Sequence, residues 1–175
     1  MSMLSVDMTG LRTMLGDLGA AAEAAARPAA QAAAQVLYDE VKRNVASIPV
    51  KTGRLAQSIY QVYSQPNSGD GRATYHVSWN HRKARHGHLV EFGHIQRYVT
   101  YMGSDGNFYT AKRPGMEGVR KPSRGAFQAA KDAYYVPLSA PKQVPARSFV
   151  RRAQVKFPQA AEAAADALYR AINGT

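Results

Sequence analysis

The hydrophobic period of the chain changes at Pro49, and that change limits the folds open to it. Upstream, Leu11, Leu15, Leu18 and Ala22 recur at spacings of four, three and four, one stripe of a helix with Thr9 or Asp7 as its cap. Pro28 then interrupts and reads as a first-turn residue of a second helix over 29–47, with Leu37, Val41, Val45 and the following Ile48 on one side. Residues 20–34 are mostly Ala, a composition with high helix propensity and little side chain to bury, suited to close packing against another helix or subunit. Downstream, residues 55–64 and 74–80 are rich in Ile, Val, Tyr and Trp. Tyr75, Val77 and Trp79 alternate strictly with Thr74, His76 and Ser78, the mark of a half-buried strand. The turn-forming residues 65–71 between them predict a hairpin. The chain carries both periods. It reads as α+β, with N-terminal helices and a C-terminal helix packed on a small antiparallel sheet.

The remainder is less regular. A short helix or strand is expected at 88–92, and residues 94–143 form a long basic, Tyr- and Gly-rich excursion. Within it, 96–102 and 108–111 flank Gly103-Ser-Asp-Gly-Asn107 as a small second hairpin, 115–125 reads as exposed loop, and 133–138 as a strand. Ala161, Ala165, Leu168 and Ile172 make a last helical stripe, Pro158 starts or kinks that helix, and Asn173-Gly174 stops it. The 175 residues are expected to make one domain: an N-terminal helix or arm (1–28), a helix-plus-hairpin core (29–93), the excursion (94–143) and the C-terminal helix (144–175).

Charge is concentrated in that excursion and the residues leading into it. The chain has 23 Lys and Arg against 12 Asp and Glu, net +11, of which +7 falls in residues 81–131. Arg outnumbers Lys 15 to 8, which favours bidentate contacts with phosphates or carboxylates. Such a face meets nucleic acid or an acidic protein, unless it is only solvated. The absence of Cys excludes a disulfide scaffold, a thiol nucleophile and Cys-ligated metal. No run of eighteen apolar residues predicts a membrane span, and the first residues lack the pattern of a secretory signal. The expectation is a soluble, basic, intracellular protein.

Catalytic signals are weak. His81, His86, His88 and His94 fall within fourteen residues with Glu91, but their spacing repeats no metal-ligand motif. On a helix His86 and His88 would diverge. Asn80-His81 with His86 and His88 has a superficial likeness to His-Asn-His nucleases, too compressed for the usual metal cradle and without an acidic ligand cluster. There is no nucleophile elbow, phosphate-binding loop or dinucleotide fingerprint. No catalytic residue, cofactor or metal is therefore assigned. The tyrosines at 98, 101, 109, 134 and 135, interleaved with Arg and Lys, suit base stacking or a protein interface, or pack inward, the reading preferred for Tyr134 and Tyr135.

Three blocks carry more information: Ile48-Pro-Val-Lys-Thr-Gly-Arg-Leu-Ala-Gln-Ser-Ile59, His88-Leu-Val-Glu-Phe-Gly93, and Val144-Pro-Ala-Arg-Ser-Phe-Val-Arg-Arg-Ala153. In this order they resemble the neck or tail-completion (head–tail joining) proteins of long-tailed bacteriophages, over about residues 30–172. Two positions depart from the family pattern, His94 where Thr is usual and Ser148 where Pro is frequent, and the stretch between the second and third blocks is longer than the family minimum. Within the blocks, Pro49 stops a helix, Thr52 and Gly53 allow a tight turn, and Leu55 with Ile59 begins the strand core. Gly93 ends an apolar pair, Val90 and Phe92, with Glu91 between them as a partner for Arg54 or Arg147. Pro145 leads into Phe149, which anchors the last helix on the sheet, with Arg151 and Arg152 facing outward. All of these are scaffold roles.

The resemblance implies a structural virion protein at the head–tail junction, made in the host cytoplasm, completing the tail or connecting it to the head as a symmetric ring of roughly six or twelve copies. It implies as partners the chain itself in that ring, other neck and tail proteins (connector, stopper, tail terminator or tail tube) and the packaged DNA end, with no membrane. Arg113, Arg120, Lys121 and Arg124, together with Arg151 and Arg152, would then face an interface or the DNA, meeting acidic surfaces or that DNA end. The rival readings are a basic nucleic-acid-binding accessory protein and, further off, a metal-dependent His-type nuclease.

Overall fold

The computed structural model describes residues 9–49 and 52–174. In chain order the elements are α1 (Thr9–Ala46), α2 (Arg54–Ser58), β1 (Ile59–Tyr63), a 3₁₀ turn (Gln65–Asn67), β2 (Tyr75–Trp79), α3 (Gly87–Phe92), β3 (His94–Tyr98), β4 (Thr100–Met102), β5 (Phe108–Thr110), α4 (Gln128–Tyr134), β6 (Pro137–Val144), a second 3₁₀ turn (Arg151–Lys156) and α5 (Phe157–Asn173). The architecture is α+β. The sheet is divided into three antiparallel pairs: β1 with β2, β3 with β6, and β4 with β5. The chain divides into two compact units, one of residues 1–87 and 148–175, the other of residues 88–147.

In the first unit, α1 is one helix of 38 residues with Pro28 inside it, not two helices broken at that proline. Proline removes one backbone hydrogen bond and costs roughly 3 kcal/mol in a helix interior. Alanines on both sides favour the helix, and Ala25 and Ala29, one turn apart across the proline, are both buried. The buried stripe continues through Ala34, Val41 and Val45. The N-terminal stripe does not join it there: Leu18 is exposed, as are Met14 and Ala22, and the side chains of Leu11 and Leu15 lie outside the described residues.

Alpha-helix α5 packs along α1 through its small residues. Ala160 is buried and Ala163, Ala164 and Ala167 are half-buried, whereas Ala161, Ala165 and Leu168 of the expected stripe are exposed. Close approach of two alanine surfaces turns the larger residues outward. The α5 helix begins with Pro158 in its first turn and ends at Gly174 in a left-handed conformation (φ 69°), as the sequence indicates.

The β1–β2 hairpin forms in full register, Ile59 opposite Trp79 through Tyr63 opposite Tyr75. It meets α1 at its far end, where the Arg27 guanidinium lies 4.5 Å over the Tyr63 ring and Tyr75 donates a 3.4 Å hydrogen bond to Gln31. The expected strand over 55–64 is shorter than the sequence suggests. Residues 54–58 make a helical turn first, with Leu55, Ser58 and Ile59 all buried. Those positions are spaced i, i+3, i+4, a helical face short enough to be hidden in a β-rich composition.

The second unit is a β-ribbon, more ordered than an excursion. Its two ends pair, His94 opposite Val144 through Gln96 opposite Lys142, and the register then shifts so that Tyr98 faces Pro137. Val99, Ala111 and Val136 exchange backbone hydrogen bonds of 2.8–3.0 Å where the smaller β4–β5 hairpin branches off. The expected strand at 133–138 is instead the end of α4 and the start of β6. Gln128-Ala-Ala-Lys-Asp-Ala is a good helix former, and its preference prevails as far as Tyr134.

Candidate interaction surfaces

The second and third sequence blocks meet through backbone contacts. Gly93 has φ 71°, and a Cβ there would stand 2.7 Å from both the Ala146 nitrogen and the Val144 oxygen. Arg147 donates its backbone N–H to the Val90 carbonyl at 2.8 Å. The second block therefore lies directly on the start of the third, more than fifty residues later, and Pro145 sits in that contact. The rest of the third block serves the other unit. Phe149 is fully buried, its ring edge-on to Trp79 of β2 at 5.4 Å, and its carbonyl accepts a 3.0 Å bond from buried Asn44 of α1. Burying such a ring contributes about 1.5–3 kcal/mol. Of the first block, Pro49 follows the end of α1, Thr52 is exposed, Gly53 precedes α2 with φ 68°, and Leu55 and Ile59 are buried.

The apolar pair expected at Val90 and Phe92 is inverted. Glu91 is 1% exposed and Phe92 62% exposed, with Val90 half-buried between these extremes. The three residues occupy the last turn of α3, so neighbours point about 100° apart and do not alternate as in a strand. Ser148 has φ 46°, a value closed to proline, so the departure from the resembled pattern at this position matches a local turn that a proline could not make.

The proposed contact residues occupy two surfaces. In the second unit Arg113, Arg120, Lys121 and Arg124 are all exposed. Arg113 is fixed through Nε to the Asp132 carbonyl (2.8 Å), and Lys131 donates to the Arg124 carbonyl (2.8 Å). Buried Tyr134 holds the loop between them by donating its hydroxyl to the Val119 carbonyl (3.1 Å). In the first unit Arg151 and Arg152 are exposed on the second 3₁₀ turn, Arg151 donating to Ser148 Oγ at 2.8 Å.

Two networks were not visible from sequence. Tyr98 donates to Asp132 at 2.8 Å and accepts from Gln128, and the Tyr98 hydrogen bond holds the Asp132 carboxyl below its ordinary range. Tyr109 donates to Asp105 at 2.6 Å, and Asn107 adds backbone and side-chain bonds, so that Asp105 falls to about 2. That second network closes the β4–β5 turn. Around it Tyr101, Met102, Phe108 and Tyr109 are all 44–57% exposed, an apolar surface on both faces of a two-stranded ribbon. The histidines divide between the units, and among the described residues no three His, Asp or Glu come close enough to hold a metal ion. No helix among the described residues is long and apolar enough to cross a membrane.

Residues 10–93 match a protein family described as "Bacteriophage HK97-gp10, putative tail-component". That family is one of phage tail components. The matched stretch takes in α1, the β1–β2 hairpin and the first two blocks, and ends at Gly93, where the second unit's ribbon begins. This agrees with the resemblance to neck and tail-completion proteins and supports a structural, tail-related role in the virion. No curated protein and no solved structure is significantly similar to the chain.

Proposed function

We propose that this is a structural protein of the phage head–tail junction, which completes the tail or connects it to the head as one subunit of a symmetric ring. The observation that carries the reading is the tail-component match over residues 10–93, joined to the apolar surface that the fold leaves uncovered. Among the described residues of the second unit, Tyr134 is the one buried hydrophobic side chain, whereas eight large ones there, from Phe92 to Phe127, are 44–89% exposed. A surface of that kind fits burial by neighbouring subunits.

Unlike surfaces on one chain favour head-to-tail contacts, which close into rings. Residues 1–50 and 157–175, which contain α1 and α5, each carry net −1, so an excess of +13 lies on 51–156. The helices also expose Met14, Leu18, Leu168 and Tyr169. In this reading Arg113, Arg120, Lys121 and Arg124 meet acidic surfaces of neck or tail proteins, or the packaged DNA end. Reversing these four exposed charges to Glu leaves the circular dichroism spectrum unchanged and fails to restore infectious particles to a phage lacking the gene. Full complementation by the reversed protein overturns the role of this surface.

A further inference from the structure

Helix α1 outruns the helix that covers it. At about 1.5 Å per residue its 38 residues span about 57 Å, against about 26 Å for the 17 residues of α5. Asn44, near the end of α1, holds the Phe149 carbonyl just ahead of the turn that leads into α5, so α5 starts beside the C-terminal part of α1. Burial marks where its cover stops. Ala25 and Ala29 are buried, whereas in 16–24 only Ala21 is even half-buried and every other residue is exposed.

The uncovered part continues the covered face. At roughly 100° per residue, Leu18, Ala22, Ala25 and Ala29 fall within about 60° of one another, and position 11 lies on the same line. Arg27 and Gln31, which meet the β1–β2 hairpin, stand on the opposite side of the helix. The face that α5 hides at Ala25 and Ala29 therefore runs on bare through Ala22 and Leu18, with Met14 exposed beside it.

Helix α5 has a bare apolar line of its own. Ala161, Ala165, Leu168 and Ile172 lie about 110° round from the Ala160 side that packs on α1, the first three exposed and Ile172 half-buried. Their spacing of four, three and four is that of Leu11, Leu15, Leu18 and Ala22. The charged positions of the two segments, Asp17 and Glu23 in one and Glu162, Asp166 and Arg170 in the other, stand about 90° or more away from these lines. Each line is thus an uncharged seam suited to a second helix. The N-terminal part of α1 is continuous with the helix on which α5 lies, so it cannot turn back onto its own α5. Pairing two such N-terminal parts would cover one line and leave the α5 line in water. Laying each on the α5 of the next copy covers both with one contact per chain.

We infer that residues 9–24 of α1 form an arm that packs on the exposed line of α5 over 161–172 in a second copy, each chain giving its arm to one neighbour and receiving an arm from another. The contact is heterologous, so it rests on the ring reading above and supplies the link between its subunits.

The chain has no Cys, so introduced thiols report this contact alone. With the two lines in register, Leu18 lies opposite Leu168 if the helices run parallel and opposite Ala165 if they run antiparallel. Full-length Leu18→Cys/Leu168→Cys and Leu18→Cys/Ala165→Cys proteins are purified, oxidised at high protein concentration and run on non-reducing gels beside the three single variants. One double variant is expected to give a ladder of dimers, trimers and larger species, and the single variants to remain monomers. Adding Ala22→Glu, at a position exposed in the single chain, should reduce the ladder about tenfold or more, because its carboxylate would be buried in the contact. Circular dichroism checks that this variant folds. No ladder from either double variant, dimers from Leu18→Cys alone in equal yield, or a ladder that Ala22→Glu leaves intact would each overturn the arm contact. The ladder is read on purified protein wherever the chain sits in the particle, so its loss and the loss of the head–tail role are distinguishable.

Discussion

Gly93 shows how much one residue can hold. Its φ of 71° alone costs a side-chain-bearing residue about 1–3 kcal/mol, and a Cβ would press on two main-chain atoms that cannot swing away, the Val144 oxygen at the end of β6 and the Ala146 nitrogen just past it. Gly93→Ala should therefore destabilise the 88–147 unit by more than the backbone term, read as raised amide exchange in β3 and β6. Protection as strong as in the parent protein would mean that the two blocks do not meet there. The sequence marks this glycine as the end of an apolar pair, and its role as the seat for Pro145 and Ala146 depends on a contact across more than fifty residues that no local pattern encodes. Glu91 and Phe92 show a related limit of local pattern. Alternation would set Val90 and Phe92 on one face of a strand, whereas the helical turn formed there buries the Glu91 side chain and exposes the Phe92 ring.

At the scale of elements, the long patterns were legible and the short ones were not. The hairpin over β1 and β2, the smaller hairpin over β4 and β5, and the stop at Gly174 each follow from alternation or turn chemistry within a dozen residues. The turn at 54–58 and helix α4 are too short for periodicity to separate them from strand. In α5 the sequence shows an apolar stripe, but the facing alanines of α1 select the smaller side for contact. Pro28 is the most testable of these differences. In a continuous α1 the proline interrupts the hydrogen-bond ladder, so Pro28→Ala should raise stability, by up to about 3 kcal/mol, in thermal or urea unfolding. A helix that ended at residue 27 and restarted at Pro28 would gain nothing from the change, and an unchanged or lower midpoint would contradict the single helix.

For the whole molecule, the central fact is an imbalance between what is buried and what is shown. Of the twelve core hydrophobics among the described residues, six are alanines, while Phe92, Phe127, Val155 and Tyr169 are each more than 60% exposed. A chain of 175 residues can bury far more than this, so the uncovered surface points to function in an assembly. The sequence carried the family likeness through its blocks, and it carried the basic excess through composition. It did not show that the excursion closes on itself as a ribbon, because the pairing of β3 with β6 joins residues about fifty apart. The account's central claim is best tested by electron microscopy of lysates from cells producing the phage with this gene deleted. A head–tail junction role predicts filled heads and free tails accumulating side by side, with joined particles restored by the gene supplied in trans. Normal tailed, infectious particles from the deletion would contradict it.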